Sequence, residues 1–161
     1  MQTVIYTLNK QDVSHFIAAH IKKYPKQYWP AFALSLCFLL FGGYVIHLTH
    51  KIDLYSCFFL AVGIVYIPFV IKIAANTTYK MIQPNAESKL LLDENGVEYQ
   101  SELISTSKYE WKSIKEIQQT KDVYLFWITD RMAHIVPKRI FDNECQSESF
   151  YKQAMEYYNK M

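Results

Sequence analysis

Four glycines in 161 residues leave no room for a glycine-rich phosphate loop. Three cysteines, Cys37, Cys57 and Cys145, are too few for a disulfide scaffold, and they form no Cys-x-x-Cys. No His-Glu-x-x-His occurs either. An excess of one charge is also missing, since 17 Lys+Arg stand against 15 Asp+Glu. A dedicated nucleic-acid binder shows a basic patch or stripe, so this balance argues against nucleic acid as a partner. Aromatic residues are plentiful instead, at 16% with 13 Tyr and 10 Phe, which excludes a disordered or low-complexity chain.

Charged residues are unevenly spread. Residues 27–50 contain none, and neither do residues 54–71. Their apolar parts, 29–48 and 54–71, make helices of roughly 30 and 27 Å. A bilayer core is about 30 Å thick. Neither block has the polar stripe of an amphipathic surface helix. Both are therefore expected to span a membrane as an antiparallel hairpin (29–72) with a short tip. Tyr28, Trp29 and Tyr55 suit the headgroup region. Pro30 is expected in the first helical turn, and Pro68 is expected to kink the second helix.

Lys22, Lys23 and Lys26 precede the hairpin, Lys72 and Lys80 follow it, and its tip has only Lys51. That bias predicts a multi-pass protein with both termini cytoplasmic. The first block starts too late and runs too long for a cleavable signal.

Residues 1–28 read as a strand followed by an amphipathic helix. Asn9 has the chemistry of an N-cap and Asp12 falls at the third helical position. Val13, Phe16, Ile17, His20, Ile21 and Tyr24 share one face. That face could lie at the membrane surface, but packing on a sheet or on the hairpin is the favoured expectation, because the polar face is not strongly basic. Residues 82–161 read as five or six short antiparallel strands and a C-terminal helix. Asn95-Gly96 marks a hairpin turn, residues 123–128 are apolar on both faces like a central strand, and residues from 144 carry a helical period. The strand before the hairpin can join this sheet. The fold class is thus an α+β membrane protein: a two-helix transmembrane hairpin plus a pleckstrin-homology-like sheet domain with a C-terminal helix.

Several segments together resemble the YcxB-like family of bacterial membrane proteins. They are Tyr6-Thr7-Leu8 with Asp12, the twin apolar blocks, Leu92-Asp93-Glu94-Asn95-Gly96-Val97, Tyr109-Glu110-Trp111-Lys112-Ser113-Ile114, and Ile135-Val136-Pro137-Lys138-Arg139-Ile140-Phe141. The resemblance implies a bacterial inner-membrane protein with a pleckstrin-homology-like domain on the cytoplasmic side. It brings no catalytic residues to carry over.

Trp111 is expected to anchor the sheet core, Pro137 to end a strand, and Phe141 to serve structure. Lys138 and Arg139 read as a solvated pair, with an interaction surface for partners or anionic headgroups as the sharper reading. Headgroup-specific binding is not expected, because the first hairpin loop is taken to be the acidic Asp93-Glu94-Asn95-Gly96. His47, His50 and Asp53 have a spacing that could hold a metal but read as a polar tip. His20 reads as a satisfied packing residue. His15 and His20, five apart, do not face each other. Cys37 and Cys57 fall at different depths, against a disulfide between them. Cys145 opens a helix, with no histidine to activate it. The apolar blocks hold no carboxylate or Arg to mark an ion pathway.

No enzyme, metal or cofactor is therefore expected. The expected function is a non-enzymatic, membrane-anchored protein-interaction module, acting as scaffold or regulator. One alternative is an immunity protein that neutralises a toxin at the same membrane. Another is an oligomeric transport component. Expected partners are the bilayer, an unidentified protein, and a second copy in the oligomer case.

Overall fold

The computed structural model describes residues 2–81, 86–101 and 104–160. The residue taken above as the start of the sheet domain, 82, lies outside them. Strand β1 (Gln2–Thr7) leads into helix α1 (Lys10–Lys23). Two long helices follow, α2 (Pro25–Thr49) and α3 (Leu54–Met81). Six strands come next: β2 (Glu87–Leu92), β3 (Gly96–Ser101), β4 (Ile104–Glu110), β5 (Glu116–Gln119), β6 (Val123–Trp127) and β7 (Ala133–Pro137). Helix α4 (Glu144–Asn159) closes the chain. The protein is α+β.

The strands form two antiparallel sheets, β1-β2-β3-β4 and β5-β6-β7. β1 pairs with β2 from Gln2–Leu92 to Thr7–Glu87. The connection between these two neighbours is therefore α1 and the whole helical hairpin. This corrects the loop assignment made from the sequence. The acidic 93–96 segment joins β2 to β3, so the first connection of the sheet is the hairpin itself. One sheet closed by a C-terminal helix is expected from the sequence; the strands divide instead into two sheets, with the short turn at 111–113 between β4 and β5.

Local chemistry explains the element ends. Asn9 Oδ1 accepts from the Asp12 amide at 2.8 Å, and Asp12 Oδ2 accepts from the Asn9 amide at 2.9 Å, a full capping box for α1. Pro25 takes the first position of α2, so Pro30 falls inside the helix and not in its first turn. α3 continues past Pro68 to Met81, ten residues beyond its apolar block. The 93–96 turn also differs from expectation. A two-residue Asn-Gly turn needs positive φ, and no residue there has it. Asp93 Oδ1 instead accepts from the amides of Asn95 (2.7 Å) and Gly96 (2.8 Å). Gly96 serves close approach: a Cβ there would sit 2.0 Å from the Tyr109 carbonyl oxygen. Residues 111–113 form a short 3₁₀ turn, so β5 starts at Glu116 in the second sheet and does not continue β4.

Every residue of β6 is buried, and each face has its own cover. Tyr124 and Phe126 face the core between the sheets, with Leu90, Val97, Trp111, Phe150 and Ala154. Val123, Leu125 and Trp127 face α1 and α3, meeting Val13, Phe16, Ile17 and Ala75. Each large side chain buried this way contributes about 1.5–3 kcal/mol. The C-terminal part of α3 is thus a stalk that holds the sheet domain through α1.

In the hairpin, glycines let the helices touch. A Cβ on Gly42 would lie 2.9 Å from Leu60 Cγ, and one on Gly63 2.7 Å from Leu39 Cγ. Ser35 Oγ donates to the Gly63 carbonyl at 2.6 Å. Small residues and a polar bond of this kind hold helices together where no hydrophobic drive exists. Only 11% of the apolar window of α2 and 6% of that of α3 are buried within the protein. A core helix of a soluble protein would be mostly buried. By length, composition and exposure, both helices are suited to cross a membrane.

Candidate interaction cleft

Two helix starts and two connections converge on one cleft of about 550 Å³. Its walls come from the first turns of α1 and α4, the β5–β6 turn, and the 3₁₀ turn Lys138–Ile140 after β7. Arg139 stands in it beside Asp12. Its Nη2 donates to Asp12 Oδ2 at 2.7 Å and its Nε to Oδ1 at 3.3 Å, and Nη2 also donates to the Thr7 carbonyl at 2.7 Å. Asp12 is 5% exposed. One guanidinium therefore joins β1, α1 and the segment after β7.

Lys138 does something else. Its Nζ lies 4.9 Å from the centre of the Tyr124 ring. Tyr124 Oη in turn donates to the Ser147 carbonyl at 3.0 Å, in α4. The two cations are thus not a simple solvated pair, because each has a separate task that the fold imposes. His15 Nδ1 lies 3.0 Å from Asp122 Oδ2 on the far wall. Lys121 and Glu144 line the cleft with no ion-pair partner among the described residues.

Three cations (Lys121, Lys138, Arg139) face four carboxylates (Asp12, Asp122, Glu144, Glu148). That balance does not suit a polyanionic headgroup, which needs an excess of positive charge. Nor do the walls suit a small apolar ligand, whose pockets are lined mainly by hydrophobic side chains. A surface of alternating charges can instead fix the register of a polypeptide that carries both signs.

Trp111, Pro137 and Phe141 are packed within the fold. Trp111 is 1% exposed, and its Nε1 donates to the Asp93 carbonyl at 2.9 Å, tying the 3₁₀ turn to the β2–β3 turn. Pro137 is the last residue of β7 and is buried. Phe141 packs 5.2 Å from Phe150 and 6.4 Å from Tyr124, ring centre to ring centre. His20 is buried and satisfied, with Nδ1 2.8 Å from Tyr28 Oη and Nε2 3.0 Å from the Asp130 carbonyl. His47 and His50 rings lie 6.2 Å apart at the tip, while Asp53 Oδ1 caps α3 through the Ser56 amide. Among the described residues no three His, Cys, Asp or Glu gather as metal ligands. Cys37, Cys57 and Cys145 are exposed free thiols.

Sequence reasoning missed the Arg139–Asp12 and His15–Asp122 contacts. Asp12 was legible as a cap, but nothing local signals a partner 127 residues away. It also missed His134, whose imidazole is stacked on Tyr99 at 4.3 Å. Burial holds its pKa down to about 4.

The fold and cleft define a class: a small two-sheet domain interrupted after its first strand by a helical hairpin, with an ionic cleft at the seam. Residues 92–153 match the model of the YcxB-like protein family, the family that the motifs resemble. The match runs from the end of β2 into α4 and includes Trp111, Pro137, Lys138, Arg139 and Phe141. No curated protein has significant similarity to the chain. No solved structure does either.

Proposed function

We infer that this protein is a non-enzymatic interaction module anchored in the bacterial inner membrane, a scaffold or regulator with both termini in the cytoplasm. The hairpin is the anchor, and the cleft is the surface offered to a protein partner. The observation that carries the reading is the mixed-charge cleft at the junction of β1, α1 and α4, held by Arg139 on Asp12. α1 and the α3 stalk connect that junction to the hairpin, so a partner seated there would be held near the membrane.

The test is a photocrosslinking residue at position 138 or 148 of the full chain, read in native membranes by mass spectrometry. A single stoichiometric protein adduct, absent when the residue is moved to position 108, is expected. Equal labelling at all three positions, or none, would overturn the reading. A toxin as the adduct would give the immunity role, and a second copy would give an oligomer. A reporter fused after Met161 is expected to be active only in the cytoplasm; activity only outside would overturn the orientation.

A further inference from the structure

Charge is divided along this chain. Residues 1–81 hold seven lysines against two aspartates, and residues 82–161 hold ten cations against thirteen carboxylates. Of the two aspartates, Asp12 is held by Arg139 and Asp53 caps α3 at the hairpin tip. The hairpin half therefore has no carboxylate free to neutralise its lysines.

Three of those lysines lie where the hairpin leaves its apolar stretch. The last turn of α1 sits at the fork of the long helices, where Ile21 lines a small cavity together with Tyr28 and Phe32 of α2 and Ile67 and Ile71 of α3. Lys22 is next to Ile21, Lys26 is in the first turn of α2, and Lys72 follows Ile71. Counted from the tip at Leu48 and Leu54, Lys26 and Lys72 lie about 33 and 27 Å along their helices, close to one bilayer core thickness. All three are exposed, and none has an ion-pair partner among the described residues. Lys23 differs: it pairs with Glu116 and covers the Trp127 ring at 4.6 Å. Lys80 lies about 12 Å beyond Lys72 along α3.

Beside this collar, Pro25, Lys26 and Trp29 line an open groove of about 440 Å³. Trp29 is 71% exposed. An indole at this depth prefers the headgroup boundary, and a lysine can lay its stem on acyl chain while its ammonium reaches phosphate.

We propose that the elbow between α1 and α2 is a binding site for an anionic phospholipid, with its headgroup on Lys22 and Lys26 and its upper acyl chain against Pro25 and Trp29. Lys72 adds positive charge about 6 Å nearer the tip. The inference rests on the membrane reading above and deepens it. The acidic balance of residues 82–161 opposes their own approach to a negative surface, so the lipid would be held at the elbow and not by the sheets.

The experiment uses the purified full chain in mild detergent, titrated with phosphatidylglycerol or phosphatidylcholine and read by native mass spectrometry. Phosphatidylglycerol is expected to bind preferentially. Lys22→Gln with Lys26→Gln should weaken it about 30-fold, from two lysines near a charged surface. Trp29→Ala should weaken both lipids. The control pair Lys10→Gln with Lys108→Gln carries the same charge change and should leave binding intact. Equal binding of the two lipids, or equal loss in the control pair, overturns the proposal. Alkaline extraction of wild-type membranes separates this from the parent reading: release of the protein sinks the anchor, while retention without lipid preference sinks only the lipid site.

Discussion

Arg139 and Asp12 are 127 residues apart in the chain, yet the guanidinium holds both oxygens of the carboxylate, at 2.7 and 3.3 Å. The same carboxylate completes the α1 capping box by accepting from the Asn9 amide. A single side chain thus secures the start of a helix and joins the segments before and after the hairpin.

Asp12→Ala removes the ion pair and the return half of the capping box, leaves the Asn9 cap on the amide of residue 12, and should cost about 2 kcal/mol. Arg139→Ala leaves the cap in place and should cost about 1 kcal/mol, since the guanidinium is partly exposed. A double-mutant cycle by denaturant unfolding in detergent should give a coupling of about 1 kcal/mol. A coupling of zero would mean the bond is ornamental.

His134 predicts acid sensitivity. Its pKa near 4 in the fold lies below its ordinary value of 6.5, because burial disfavours the imidazolium. The stability it confers is complete above pH 6.5 and falls as pH drops from 6.5 to 4, by about 3 kcal/mol at most. His134→Phe should flatten the stability profile over that window. An unchanged slope would point to other groups.

Gly63 and Gly43 should respond oppositely to a side chain. Gly63→Val drives a branched side chain into Leu39 and should loosen the helix pair by about 1–3 kcal/mol. Gly43→Ala meets nothing within 4 Å and should be neutral or slightly stabilising. Thermal unfolding in detergent, followed by circular dichroism at 222 nm, separates the two.

Trp127 is where α1 meets the second sheet, with ring contacts to Phe16, His20 and Tyr24. Trp127→Ala should cost about 3–5 kcal/mol. Hydrogen exchange should rise first in α1, whose main cover is lost, and less in β2 and β3. Uniform protection loss would instead mean that the two sheets and α1 open as one unit.

Local patterns in the sequence were enough for the elements. Two uncharged runs define the long helices, each long and apolar enough to cross a membrane. Asn9 with Asp12 marks a helix start, and apolar alternation with turn residues marks the strands. The double-faced apolar run at 123–128 even announced a central strand, which forms over Val123–Trp127, since burial on both sides is written in adjacent residues.

What covers each face was decided only in three dimensions. Nothing near Trp127 says that its cover is α1, or that the other face of β6 meets the first sheet and α4. Nor does the sequence around Leu92 reveal that β1 pairs with β2 across the entire hairpin, which moved the acidic turn from first connection to second. The candidate cleft had the same origin. Lys138 and Arg139 are neighbours in sequence with one charge each, but packing sends one onto Tyr124 and the other onto Asp12. Periodicity records whether a side chain is buried, a property of its own neighbourhood. Which partner buries it depends on how distant segments pack, and the chain carries no local mark of that choice.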